Sequence, residues 1–160
     1  TMHPTTISTP IVGMAYGAYA AHVEHQGKRV RKAYAGEKAK DDPFAKVRIA
    51  EAASDIDAAW RQLSGNLGEE YALLLAGEEV PIELRARARR DQVRASARAI
   101  ASIDRLFESA GATALNDDTP LQRFWRDAHA GRVHAANDAE RAYVMYGNQE
   151  FGLPLGDTMV

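Results

Sequence analysis

Residues 44–74 read FAKVRIAEAASDIDAAWRQLSGNLGEEYALL. Phe44, Val47, Ala50, Ala53, Ile56, Trp60, Leu63, Leu67, Tyr71 and Leu74 recur at three- and four-residue steps. That is the period of one helix face, sustained over the whole stretch, with no alternation of the strand type. Gly77 closes it.

The same period extends in both directions. On the N-terminal side, AGEKAKDDP (residues 35–43) reads as a polar loop. Before it, a first helix is expected to start near Thr9–Pro10, with proline in its first turn, and to run on to Tyr34. Its small residues Gly13, Ala15, Gly17, Ala18, Ala20 and Ala21 would let another helix approach closely. On the C-terminal side, a third helix is expected from Pro81 to Gly111, with Leu84, Val93, Ala97, Ile100, Ile103 and Phe107 along one side. NDDTP (residues 116–120) is a turn in which Thr119 caps a fourth helix with Pro120 at its first position. That helix carries RFWRDAHAGRVHAAND (residues 123–138) and is expected to break at Asn137 and Asp138. Phe124, Trp125 and Val133 read as packing residues. A short fifth helix covers about Ala139 to Asn148, and FGLPLGDTMV (residues 151–160) reads as extended.

Long helices with short connections predict an all-α fold. The form expected is an up-and-down four-helix bundle with a short extra C-terminal helix, one domain over residues 1–160. The formal net charge of −2 gives no reason to expect nucleic acid or an anionic membrane as a partner. The chain has no cysteine, which removes disulfides, thiolate nucleophiles and cysteine-bound metals and fits a cytoplasmic protein. No apolar run approaches the roughly 18 residues of a membrane helix. The opening TMHPTTISTP does not read as a natural start, so a longer protein is expected.

Few residues stand out as chemistry. His129 and His134 are five apart. On one helix that spacing turns them about 140° from each other, so they cannot share a metal. His22 and His25 are three apart and could share a face, but the sequence supplies no third ligand, and no metal site is expected. RARARRDQVRASAR (residues 85–98) is a basic run, read as intersubunit ion pairs or a solvated face.

RDAHAGRVHAAND (residues 126–138) resembles the last catalytic segment of the acyl-CoA dehydrogenase fold, where Arg-Asp-Ala is followed by Ile-Tyr-Glu-Gly. SAGATAL (residues 109–115) sits where that fold has its glycine-rich, flavin-contacting turn. The resemblance spans essentially the whole chain and would make it the C-terminal third of a longer flavoenzyme. It places Val133, His134, Ala135 and Ala136 on Ile-Tyr-Glu-Gly. The dehydrogenase's glutamate base is therefore Ala135 here, which takes no proton. FWRDAHAGRVH with ERAYVMYGNQEFGLPLGDTMV after it is similar to another branch of the fold, the two-component flavin-dependent aromatic monooxygenases. Within that group the likeness runs toward the enzymes of steroid catabolism that act on a phenolic secosteroid.

The resemblance implies a homotetramer whose partner is a separate reductase that delivers reduced flavin, FMN or FAD. Molecular oxygen then gives a flavin C4a-hydroperoxide, and a phenolic substrate is hydroxylated ortho to its hydroxyl. It implies His134 as the base that takes the phenol proton, a task suited to a group with pKa about 6.5. It also implies that Ala135 leaves space beside the flavin and that Ala112 and Thr113 approach it. Arg29 would meet the flavin phosphate of a neighbouring subunit; its other reading is an ordinary cation at a helix C-terminus. An acyl-CoA dehydrogenase-like oxidoreductase and a non-catalytic oligomerisation bundle are the alternatives.

Overall fold

A computed structural model of the chain describes residues 2–31 and 36–156, with backbone alone at Met2, His3 and Arg31. Five helices hold most of these residues: α1 (Met2–Lys28), α2 (Pro43–Leu75), α3 (Ile82–Ala110), α4 (Pro120–Arg132) and α5 (Ala139–Glu150). Side-chain contacts fix their directions. Along α1 and α3, Ser8 meets Ser96 and Gln26 meets the Ser109 carbonyl, so these two run parallel. Asn66 meets Asp91 and Asp55 meets Arg105, so α2 runs against α3. Gly17 lies under Phe124 and Ile11 against Gly131, so α4 runs against α1 and hence against α3, which it meets where Trp125 donates to Asp104. The four form the expected up-and-down bundle, and α5 adds its Met145 to Ala86 on the first half of α3.

Helix α3 is the centre. Ile100, Ile103, Ala95 and Ala99 join Ile11, Val12, Ala15 and Ala18 of α1, Ile56, Ala59 and Leu63 of α2, and Leu121 and Ala128 of α4. Each large aliphatic side chain buried here contributes about 1.5–3 kcal/mol.

The local chemistry of the ends obeys ordinary rules. Asp42 caps α2 by accepting from the Phe44 amide at 2.9 Å, with Pro43 at the first position. Gly77, at φ +75°, closes the same helix, and the Glu78 amide reaches back to the Leu73 carbonyl.

Five expectations change. Helix α1 begins well before Pro10, which lies inside it. Pro10 has no amide to give the preceding turn, and there the Thr9 hydroxyl donates to the Thr5 carbonyl at 2.9 Å. Buried Ile11 and Val12 anchor the next turn. The same helix ends at Lys28, short of Tyr34, and residues 32–35 lie outside the described residues. The loop at 35–43 contributes a two-residue antiparallel pairing, β1 (Val30–Arg31) with β2 (Glu37–Lys38), and a 3-10 turn at Ala39–Asp41. Helix α4 stops at Arg132, five residues before Asn137, and Val133 is 85 % exposed where packing was expected.

The fifth change concerns α2. Its inward face is Ala45, Ala52, Ile56, Ala59 and Leu63. Of the stripe read from the sequence, Phe44, Val47, Trp60, Tyr71 and Leu74 are largely exposed. Alanines that pack closely carry little hydrophobic signal, so the larger residues on the outer face set the apparent phase. The tail turns at Phe151 and Gly152 and has no regular structure over 153–156, where the Asn148 side chain holds the Pro154 carbonyl; residues 157–160 lie outside the described residues.

Candidate active site

His134 is not on a helix. It sits near the start of the α4–α5 link in extended conformation, φ −67° and ψ 139°, just before a 3-10 turn over Ala135–Asn137. The helical separation expected of His129 and His134 therefore does not apply, since only His129 is helical. His129 is instead tied into the bundle. Its Nδ1 donates to the Trp125 carbonyl at 2.8 Å, and its Nε2 lies 3.3 Å from Asp104.

The His134 ring and Ala135 are exposed, while Ala136 is buried. The Ala136 amide donates to His134 Nδ1 at 3.1 Å. The Ala136 carbonyl accepts from Arg89 Nη1 at 2.7 Å. Arg89 is itself 2 % exposed, and it also donates to Gln92. Next door, Asn137 Oδ1 takes Gln92 Nε2 at 2.9 Å and lies 3.0 Å and 3.2 Å from the hydroxyls of Ser96 and Ser8. Asn137 Nδ2 donates to the Gly131 carbonyl at 2.8 Å. A buried polar knot from α1 and α3 thus fixes the turn that carries His134. Such networks are rigid when their members are satisfied.

Arg29, Ala112 and Thr113 lie elsewhere. Arg29 comes directly after α1, and its Nη1 donates to the Ser109 carbonyl at 3.2 Å. Gln26 Nε2 donates to the same carbonyl at 3.0 Å. The guanidinium lies against Gly111, where a Cβ would come within 2.8 Å of Nη2. Gly111 has φ +69° and ψ −165°, a conformation open essentially to glycine alone. Thr113 donates to the Ala110 carbonyl at 3.2 Å and lies 3.4 Å from His25 Nε2. Ala112 and Thr113 are exposed. On the same stretch of α1, His22 is fully buried, and among the described residues neither of its ring nitrogens has a partner. Burial pushes its imidazole down to about 4, with His25 and Arg29 adding to the shift. His25 is held below its usual range by burial and then by Arg29.

Arg29 meets no carboxylate among the described residues. A half-exposed guanidinium anchored by one nitrogen, beside a hydroxyl and a glycine turn, fits a phosphate-bearing group. The structure thus gathers Arg29, Ala112 and Thr113 at one end of the bundle, and His134 and Ala135 at the other. Ser8, which meets the His134 turn, and Arg29 are separated by about 30 Å of helix. One copy of the chain cannot bring both groups to one small ligand.

Much of the basic run of α3 is paired within the chain, while Arg94 is exposed. Arg87 pairs with Glu69 and Asn66, Arg98 with Gln62, and Arg90 with Asp91 and the Tyr146 ring. Among the described residues no three His, Asp or Glu side chains converge, and no helix is long and apolar enough to cross a membrane.

An up-and-down bundle centred on α3, followed by a short fifth helix, is the architecture that the resemblance to the acyl-CoA dehydrogenase fold implied. The chain belongs to that family: residues 5–139 match the acyl-CoA dehydrogenase, C-terminal domain. Among individual proteins it is 84 % identical over all 160 residues to the flavin-dependent monooxygenase, oxygenase subunit HsaA, of Mycobacterium tuberculosis, and also 84 % identical to that of Rhodococcus jostii. The 3-HSA hydroxylase from Rhodococcus sp. RHA1 superimposes with TM-score 0.92 at 85 % identity, covering 99 % of this chain and 41 % of that one. The chain spans about two fifths of the length of these relatives.

Sequence reasoning missed the buried knot and Gln26, which shares the Ser109 carbonyl with Arg29. A signal for the first existed. Arg89, Val93, Ser96, Ile100 and Ile103 recur at four- and three-residue steps, so an arginine and a serine lie on the core stripe of α3. Polar residues on a core stripe need partners.

Proposed function

We propose that this chain is the C-terminal helical part of the oxygenase component of a two-component flavin-dependent monooxygenase. It hydroxylates a phenolic substrate, a secosteroid of steroid catabolism, ortho to its hydroxyl. The observation that carries this reading is the 84 % identity over the entire chain to oxygenase subunits of that kind. Ala135, at the place of the dehydrogenase's glutamate, weighs against acyl-CoA dehydrogenation through this segment.

Reduced flavin, supplied by a separate reductase in the cytoplasm, provides the activated oxygen when bound. The chain's own residues bind and orient. Arg29, with Ala112 and Thr113 beside it, holds the phosphate-bearing end of the flavin. His134 faces the phenol hydroxyl at the other end of the bundle and favours its ionised form, which makes the ring carbon ortho to it more nucleophilic. Ala135 leaves room for the flavin ring next to His134.

Because Arg29 and His134 of one copy are too far apart for one flavin, each site draws on two copies. The protein is accordingly a homo-oligomer, and the family resemblance makes a tetramer the form expected. The exposed apolar stripe Trp60, Leu67, Tyr71, Leu74 and Leu75 on α2 supports such contacts.

The test supplies the full-length protein with reduced FMN or FAD, oxygen and a panel of phenols, secosteroids included. An ortho-hydroxylated product is expected. Desaturation of an acyl-CoA with no hydroxylated phenol would overturn the reading.

A further inference from the structure

We infer that His25 is a further binding residue at the Arg29 end of the bundle, where it meets the phosphate-bearing end of the ligand as an imidazolium. This rests on the function proposed above. His25 and Arg29 stand one helical turn apart at the end of α1, and the Arg29 amide donates to the His25 carbonyl at 3.0 Å. Residues four apart lie on one face, so the imidazole and the guanidinium are neighbours. The turn after α3 closes the same place from the other side. Thr113 Oγ1 lies 3.4 Å from His25 Nε2, and Gly111 lies against the Arg29 guanidinium.

Two side chains that carry positive charge are thus set side by side, and among the described residues no carboxylate pairs with either. Burial, and then Arg29, holds the His25 imidazole below its usual range. Lys28, between them in sequence, is already neutralised by Glu24 at 2.6 Å. The titratable groups that face His25 are Arg29 and His22, both on α1, and the turn after α3 offers it the Thr113 hydroxyl. His22 is fully buried and uncharged, so it supplies no counter-charge. An anion seated between Arg29 and His25 turns their repulsion into two attractions, and a phosphate has oxygens for both.

Hydrogen bonding shows where the second proton of the ring goes. The Thr113 hydroxyl gives its one proton to the Ala110 carbonyl at 3.2 Å, so toward His25 it accepts. Nε2 therefore carries the proton of the neutral ring. Nδ1 has no partner among the described residues and takes the proton that makes the ring a cation.

Binding of the ligand therefore takes up a proton. The anion stabilises the charged ring, so the imidazole titrates at higher pH in the complex than in the free protein. The gain in affinity is complete below the free protein's value and is lost as pH rises through the complex's value. A difference of about one unit corresponds to about tenfold in affinity.

The test measures binding of reduced FMN to the full-length protein by anaerobic equilibrium dialysis between pH 5.5 and pH 8. Wild type is compared with His25→Gln, which keeps a donor and never charges, and with His25→Lys, which is charged throughout. The ligand's own titration is common to the three proteins and cancels in the ratio of their affinities. His22, at about 4, stays neutral over this range. Wild type should bind about tenfold more tightly than His25→Gln at pH 5.5 and within about twofold of it at pH 8. His25→Lys should keep its advantage over His25→Gln at pH 8. Reduced riboflavin, which lacks the phosphate, should show a ratio that does not move with pH. A ratio of wild type to His25→Gln that is constant for FMN, or that moves equally for riboflavin, overturns the inference.

The same series with inorganic pyrophosphate tells this failure apart from failure of the functional reading. Pyrophosphate bound with the pH-dependent ratio, but no reduced FMN bound, removes the flavin and leaves His25 as an anion ligand. Binding of neither removes both.

Discussion

Arg89 and Ala136, 47 positions apart, share a hydrogen bond of 2.7 Å inside the bundle, and both are almost wholly buried. The bond joins the middle of α3 to the turn that carries His134. A long buried cation donates here to this carbonyl and to Gln92. Its removal is therefore more than the loss of one contact.

Arg89→Met keeps the volume and removes the donors. The Ala136 carbonyl and Gln92 Oε1 are then buried with less satisfaction, a situation that costs about 2–4 kcal/mol. Urea denaturation should show that loss. A variant as stable as wild type would mean that the knot does not hold the turn.

Two glycines of α1 should respond oppositely to alanine. A Cβ on Gly17 would lie 2.6 Å from Phe124 Cζ, so α4 must move away, at about 1–3 kcal/mol. A Cβ on Gly13 meets nothing within 4 Å, so Gly13→Ala gains about 0.5–1 kcal/mol of helix propensity. Thermal unfolding of the two variants, compared side by side, checks the difference in sign.

Gly111→Ala tests the Arg29 end. The left-handed φ alone costs about 1–3 kcal/mol, and the new methyl displaces the Arg29 guanidinium from its place. Binding of reduced flavin to the full-length protein, measured by equilibrium dialysis under anaerobic conditions, should weaken. Arg29→Lys should weaken it too, because a point charge does not reproduce the forked donor. Unchanged affinity in both would detach this end of the bundle from the cofactor.

The outer face of α2 can be tested by charge. Leu67→Glu with Tyr71→Glu places two carboxylates on the exposed apolar stripe and touches none of the buried core. The full-length double variant should stay folded by circular dichroism and lose its largest assembly by light scattering. Retention of a wild-type mass would assign the stripe another role.

The helices and their order were legible because long apolar periods are the strongest signal a sequence carries, and α3 and α5 came out close to where they were read. Phase was harder. In α2 the packed residues are mostly alanines, and in α1 proline carried a start signal that the buried Ile11 and Val12 overrode. The end of α4 was misplaced because nothing local stops a helix at Arg132; the buried contacts of Ala136 and Asn137, made with α1 and α3, pull the chain out of it. His134 was singled out by resemblance alone, whereas the hold of Arg89, Gln92, Ser96 and Ser8 on the turn after it is tertiary information that no spacing contains. The separation of Arg29 from His134 became visible only once the direction of α1 was known.

His22 should make stability depend on pH. It is fully buried, its ring nitrogens have no partner among the described residues, and burial pushes its folded pKa to about 4 against about 6.5 unfolded. Between those values the unfolded chain binds a proton that the folded chain refuses. Stability therefore rises with pH across this window, is complete above about 6.5, and is lost progressively as pH falls toward 4. At about 1.4 kcal/mol per unit the loss is on the order of 2–3 kcal/mol. The groups that face His22 are His25 and Arg29, and His25, also held low, adds a change of the same sign. Urea denaturation at pH 7 and pH 5 should show wild type weaker at the lower pH. In His22→Leu, which has nothing to titrate, the difference should shrink to the part that His25 supplies. A wild type equally stable at both values, or a pH dependence untouched by His22→Leu, would mean that this imidazole is hydrated or charged in the folded protein.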